Sequence, residues 1–128
     1  MDTDFTAAPK PAKAAKAPAW AKPNHENENK VEQHLIDELE KMGGKAYKWS
    51  SPAQRSVPDR LLFHPGFRGR LIAVECKAPG KTPTEGQRKM HEKLVGMGYV
   101  VFVVDTKGKV DQLLIDLKKA YRLESRAP

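Results

Sequence analysis

The sequence predicts an α/β domain in which helices flank a sheet, in the order α, β, β, β, α, β, α. Three observations predict it. Apolar residues recur at helical spacing near both ends of the chain, at Val31, Leu35, Leu39 and Met42 and again at Val110, Leu113, Leu114, Leu117 and Tyr121. Between these stretches lie short runs of strand character, of which 99–105 is a continuous β-branched and aromatic run that reads as a central strand buried on both faces. Finally, Thr82-Pro83-Thr84-Glu85 reads as a capping box with proline at the first helical position, placing a helix between the third and fourth strands.

Taken in order, residues 1–24 are mostly Ala, Lys and Pro, and their repeated prolines break any helix the alanines favour, so the prediction is a disordered tail followed by one domain over 25–128. The tail lysines Lys10, Lys13, Lys16 and Lys22 suit nonspecific phosphate contacts or simple solubilisation. A helix over 25–42 is closed by Gly43-Gly44. Glu32 lies on the Ile36 side of its apolar stripe, at the edge of the core, and taken alone reads as an exposed helical acid. A strand over 46–50 leads into a loop over 51–57. The strands 60–64 and 70–77 then flank Pro65-Gly66-Phe67-Arg68-Gly69, whose glycines permit positive φ, and should form a hairpin. On the helix predicted from 83 to about 97, Gln87, Met90, His91 and Leu94 share one face.

Lys and Arg outnumber Asp and Glu by 23 to 16, a formal charge of +7, which favours a polyanionic partner such as DNA over an anionic membrane surface. No apolar stretch approaches the ~20 residues needed to span a bilayer, so a soluble, intracellular, cytoplasmic protein is expected. The single cysteine, Cys76, excludes an internal disulfide and a Cys-rich zinc site and reads as a small buried apolar residue. The four histidines show no zinc-ligand spacing either.

The chemistry concentrates at Pro58-Asp59 and Glu75-Cys76-Lys77. Side chains alternate along a strand, so Glu75 and Lys77 share a face and Cys76 points to the other. If the two runs pair as a hairpin, the Asp59 carboxylate sits beside that of Glu75, and two such groups repel unless a divalent cation lies between them. Oxygen ligands from Asp59 and Glu75, with the backbone carbonyl of Cys76, suit Mg²⁺ or Mn²⁺. A bare Glu-x-Lys is weak, since Glu28-Asn29-Lys30 also fits; only the copy at Glu75 ends an apolar run and follows a Pro-Asp. In isolation Asp59 also reads as a turn acid, and Glu75 with Lys77 as a solvated strand end. Arg55, Arg60, Arg68, Lys81, Arg88 and Lys89 are candidates for gripping a DNA backbone. The reading from another class is a noncatalytic basic protein that binds or packages DNA.

The element order, with Asp on one strand and Glu-x-Lys on the next, resembles the PD-(D/E)xK nuclease superfamily and, more narrowly, the virus-type replication-repair nuclease (VRR-NUC) family. The resemblance covers about 28–117, through Val31-Glu32, Tyr47-Lys48-Trp49, Val57-Pro58-Asp59-Arg60-Leu61, Val74-Glu75-Cys76-Lys77-Ala78-Pro79-Gly80-Lys81, Gln87 and the strand 100–105. It implies a restriction-endonuclease-like αβββαβ core with a mixed central sheet, and a Mg²⁺-dependent endonuclease acting on DNA in replication, recombination or repair. It further implies Asp59 and Glu75 as metal ligands, Lys77 as the catalytic lysine, Glu32 as an acid completing the metal site by holding a water or a second ion, and Gln87 as its helical polar partner. Stand-alone members resemble Holliday-junction resolvases, which implies a homodimer on branched DNA, with the Val31-Leu35-Leu39 and Leu113-Leu117 stripes as possible interfaces. One departure is visible: the family often has glycine before Val-Pro-Asp, and this chain has Ser56.

Overall fold

The computed structural model describes residues 24–123. The predicted tail lies outside the described residues apart from Asn24, with which the first helix begins. The elements are α1 (Asn24–Lys41), β1 (Lys45–Lys48), β2 (Arg60–Phe63), a 3₁₀ turn (Pro65–Phe67), β3 (Ile72–Cys76), α2 (Glu85–Gly96), β4 (Val100–Val104) and α3 (Lys107–Tyr121), so the predicted order is the observed one. The strands lie side by side as β1-β2-β3-β4. The first three pair antiparallel, whereas β4 runs parallel to β3 because the chain crosses over through α2 before it returns. This is the mixed sheet that the family resemblance implies.

One face of the sheet is sealed. Val31, Leu35 and Leu39 of α1 and Val110, Leu113, Leu114 and Leu117 of α3 pack with Ala46, Leu62, Ile72, Val74, Cys76, Phe102 and Val104 in a single cluster. Burying each of the larger side chains contributes about 1.5–3 kcal/mol. Both stripes considered as dimer surfaces are therefore spent on this core; α1 and α3 pack against each other and leave neither stripe available. At the end of α1, Gly43 takes φ +89, and a Cβ on Gly44 would lie 2.6 Å from the Phe63 carbonyl oxygen, so Gly43-Gly44 both stops the helix and lets the chain pass close to β2.

Three expectations need correction. The 99–105 run forms β4, which is an edge strand with only β3 beside it; its apolar character comes from helices covering both of its faces, not from strands on both sides. Helix α2 starts two residues later than the capping-box reading gave. Its N-cap is Thr84, in an extended conformation, and the box partner is Gln87 rather than Glu85. Both Thr82 and Thr84 head an S/T-x-x-E/Q pattern, but Pro83 is buried outside the helix, which leaves the second pattern to form the box. In the hairpin turn, Gly69 takes a positive φ as expected, but the other positive φ falls on Arg68 and not on Gly66. Among the described residues, no helix is long and apolar enough to cross a membrane.

Candidate active site

The register that pairs Arg60 with Val74 and Leu61 with Ala73 continues to set Asp59 opposite Glu75, at the open end of the hairpin. Strand alternation then divides β3: Ile72, Val74 and Cys76 enter the sealed core, while Ala73 belongs to a second cluster under α2 and Glu75 follows it on that face. Asp59 is fixed from both sides. Its Oδ2 accepts from the Cys76 backbone N–H at 2.8 Å, and its own carbonyl accepts from the Trp49 N–H at 2.9 Å, which extends the β1–β2 ladder by one step.

Glu75 is only 1% exposed. Its Oε2 accepts from Gln87 Nε2 at 3.0 Å. The same amide caps the helix, since Gln87 Oε1 accepts from the Thr84 N–H at 2.9 Å and Thr84 Oγ1 accepts from the Gln87 N–H at 3.2 Å. One turn further on, fully buried His91 places Nε2 3.5 Å from Glu75 Oε1. With both carboxyls ionised, that oxygen is buried without a hydrogen bond. The structure thus adds His91 to the site. The signal was present in the sequence, because His91 sits four residues after Gln87 on the same helix face.

The electrostatics follow from this burial. Asp59 is pushed up to about 7, first by burial and then by the charge of Glu75, against the opposing Cys76 N–H. Glu75 is likewise pushed up to about 7, with burial outweighing the hydrogen bond from Asp59 and the charge of Lys77. The pair holds a proton in common or needs a cation in its place. Burial, followed by the charge of Lys77, keeps His91 below its ordinary value, with Asp59 opposing. Burial, aided by Asp59, raises the Cys76 thiol, which is inert in the opposite layer.

The donor set fits a hard divalent cation. It consists of two carboxylates with a buried oxygen lacking a donor, and Mg²⁺ is commonly held by one or two carboxylates together with waters and substrate phosphates. Among the described residues no third His, Cys, Asp or Glu joins them in a metal-binding group.

Glu32 does not turn into this pair. Its Oε2 accepts from Arg60 Nε at 2.6 Å, and Arg60 Nη1 also donates to the Ala46 carbonyl at 3.1 Å, so Glu32 reaches Asp59 only through its charge. Asp59 and Arg60 are neighbours on a strand and must face opposite ways, which sends Arg60 under α1 instead of toward a phosphate. Of the other basic candidates, Arg55 is exposed in the loop before Asp59, Lys81 follows β3, and Arg88 and Lys89 are exposed in the first turns of α2. Arg68 sits at the closed end of the hairpin, a strand length from the carboxylates. The segment carrying Lys77 is pinned where Lys77 N–H donates to the Val104 carbonyl at 2.9 Å and Gly80 N–H to Asp105 Oδ2 at 3.0 Å. Ser56 explains its own departure from the family pattern: it has φ +71, the left-handed region in which glycine is the unstrained residue.

No protein-family model matches the chain. It is 48% identical over 79 residues to "Putative nuclease p44" of Acyrthosiphon pisum secondary endosymbiont phage 1, a match spanning 62% of this chain and 83% of that protein. It is also similar to a solved structure described as a VRR_NUC domain, with a TM-score of 0.64 and 31% identity, covering 70% of this chain and 95% of the other.

Proposed function

The chain belongs to the VRR-NUC family of nucleases, and on that footing we propose that it is a divalent-metal-dependent endonuclease that hydrolyses DNA phosphodiesters at Asp59, Glu75 and Lys77. The observation that carries the reading is buried Glu75 opposite part-buried Asp59, each pushed up to about 7, with a lysine following Glu75 two residues on. Asp59 and Glu75 hold Mg²⁺ or Mn²⁺, with the Cys76 backbone carbonyl as a further oxygen. The ion, when bound, lowers the pKa of water and neutralises charge on the phosphate.

The chain's own groups do the rest. Lys77 orients the attacking water and offsets negative charge as it builds on the phosphate oxygens. Gln87 and His91 act as positioning residues that keep Glu75 in one rotamer. Glu32, held by Arg60, contributes its field at Asp59 and completes the acidic site from α1. Arg55, Lys81, Arg88 and Lys89 grip the backbone on either side, and Arg68 contacts DNA only where the substrate extends along the hairpin.

We further propose that the substrate is branched and that two copies act as a closed twofold pair, since each small domain carries one site and symmetric incision of a junction needs two. The test is cleavage of linear, nicked, flapped and four-way-junction DNA with Mg²⁺, Mn²⁺ or EDTA, with incision mapping and light scattering. Activity that persists in EDTA overturns the metal reading. A monomer making single, uncoupled nicks overturns the resolvase version alone.

A further inference from the structure

We propose that the open part of the α2 face of the sheet is a stacking platform for unpaired nucleotides of the substrate, formed by Tyr47 and Phe63 with the part-buried Trp49 at its edge. The inference rests on the nuclease reading of Asp59 and Glu75 for its choice of ligand. The pairings of β1 with β2 and of β2 with β3 set residues in rows across the sheet. One row runs Trp49, Asp59, Glu75, and the next runs Tyr47, Leu61, Ala73. In the third, Phe63 lies opposite Lys45. All point away from the sealed core.

Helix α2 covers only part of this face. Its cluster with Ala73, Leu94 and Val101 takes in Met90, Leu61 and Trp49 and goes no further. Beyond that limit Tyr47 is 57% exposed and Phe63 45% exposed, with ring centroids 5.6 Å apart and planes tilted by 55°. Two neighbouring aromatic rings left open on a sheet make a patch of the kind that marks an interaction site.

Two observations say what binds there. The platform is continuous with the catalytic row: Trp49 donates to the Asp59 carbonyl at 2.9 Å, and Tyr47 lies two residues, about 7 Å, further along the same strand. A polymer whose phosphate reaches the carboxylates therefore lays its flanking residues over these rings. The chain is also basic, with a formal charge of +7. Exposed aromatic rings on a basic chain bind base faces, and a duplex keeps its base faces stacked inside; only unpaired nucleotides can present them.

The test is fluorescence anisotropy with the full chain and no added divalent cation, on a labelled unpaired oligonucleotide, a duplex with an unpaired flap and a blunt duplex. For Tyr47→Ala/Phe63→Ala we expect affinity for the first two to fall about 10- to 100-fold, and that for the blunt duplex to change less than about twofold. Tyr47→Phe should bind as wild type, because stacking needs the ring and not the hydroxyl. If Phe63→Ala loosens β2 in a thermal melt, the more exposed Tyr47→Ala alone carries the test, with a loss of about 10-fold.

Unchanged affinity for unpaired DNA, or an equal loss on all three substrates, overturns the platform. So does a solution mass that halves in the double variant, since the rings would then be covered by a second copy of the chain. Cleavage of the flapped duplex and of a four-way junction with Mg²⁺ is followed in parallel. Ring-dependent binding without any cleavage would support the platform and remove the metal-dependent reading of the carboxylates, whereas cleavage with ring-independent binding would do the reverse.

Discussion

The two faces of the sheet are made from alternate residues of the same strands, yet one is a core and the other carries the candidate site. On the face toward α1 and α3, Leu62, Ile72, Val74 and Cys76 are nearly or fully inaccessible and belong to one apolar cluster. On the face toward α2, the same strands offer Asp59, Leu61, Phe63, Ala73 and Glu75, mixing charge, small residues and open aromatic rings. The difference teaches that period-two alternation lets five residues of β3 serve stability and chemistry independently, because a substitution on one face leaves the packing of the other untouched.

The comparison breaks most visibly through activity. Asp59→Asn and Lys77→Ala should each lower cleavage by about 10²–10³-fold or more while the thermal midpoint stays near wild type. Turnover at the wild-type rate by either purified variant would remove the chemical role of that face. On the other face the signature inverts. Leu62→Ala should destabilise by about 2–5 kcal/mol in urea unfolding, with the specific activity of the folded fraction preserved. A loss of activity greater than the loss of folded protein would mean that the faces are coupled.

The pH dependence of stability sharpens the contrast, because only the α2 face carries raised carboxyls. Asp59 and Glu75 hold protons in the folded chain up to about 7, while in the unfolded chain they ionise near 4. Between those values the folded state binds more protons, so this pair's contribution to stability is full at low pH and is lost as pH rises toward 7. The decline should be shallower in Asp59→Asn. If the proposed metal site is right, Mg²⁺ favours the ionised pair, and its increment in melting temperature should be largest above pH 7. An increment that shrinks as pH rises would contradict the assignment of these two residues as ligands.

Two smaller effects follow at the rim of the site. Thr84→Ala removes the helix N-cap and should cost about 1 kcal/mol, with little change in cleavage, because the Gln87 side chain is held by the backbone N–H of residue 84, which alanine keeps. Ser56→Gly relieves a positive φ in the loop before Asp59 and should stabilise by ~0.5 kcal/mol without changing the cleavage rate. A destabilised Ser56→Gly variant would show that the serine side chain, near Gly86 of α2, does more than occupy the turn.

Much of this was legible beforehand because it is local. Element order, the hairpin, the shared face of Glu75 and Lys77, the opposite orientation of Cys76 and the common face of Gln87 and His91 all follow from periods of two and 3.6. What was not legible depends on partners distant in sequence. The ion pair of Arg60 with Glu32 spans 28 residues and is fixed by the packing of α1 on β1 and β2, which no local pattern encodes. The edge position of β4 was hidden because burial by helices on both faces leaves the same apolar run as burial by strands on both sides. The capping box was displaced by two residues because two overlapping patterns compete, and only the folded chain shows which threonine is extended.

Gln87 shows what such overlap does to the freedom of a single position. For capping alone, glutamate would serve as well as glutamine, since both present an acceptor to the Thr84 N–H. Glutamate, however, has no donor to offer Glu75 and would bring a further negative charge to a buried carboxylate already short of proton donors. Asparagine keeps both functions but falls one methylene short. The alphabet at this position therefore narrows to one letter, and it narrows through the intersection of two undemanding requirements, neither of which would have excluded much by itself.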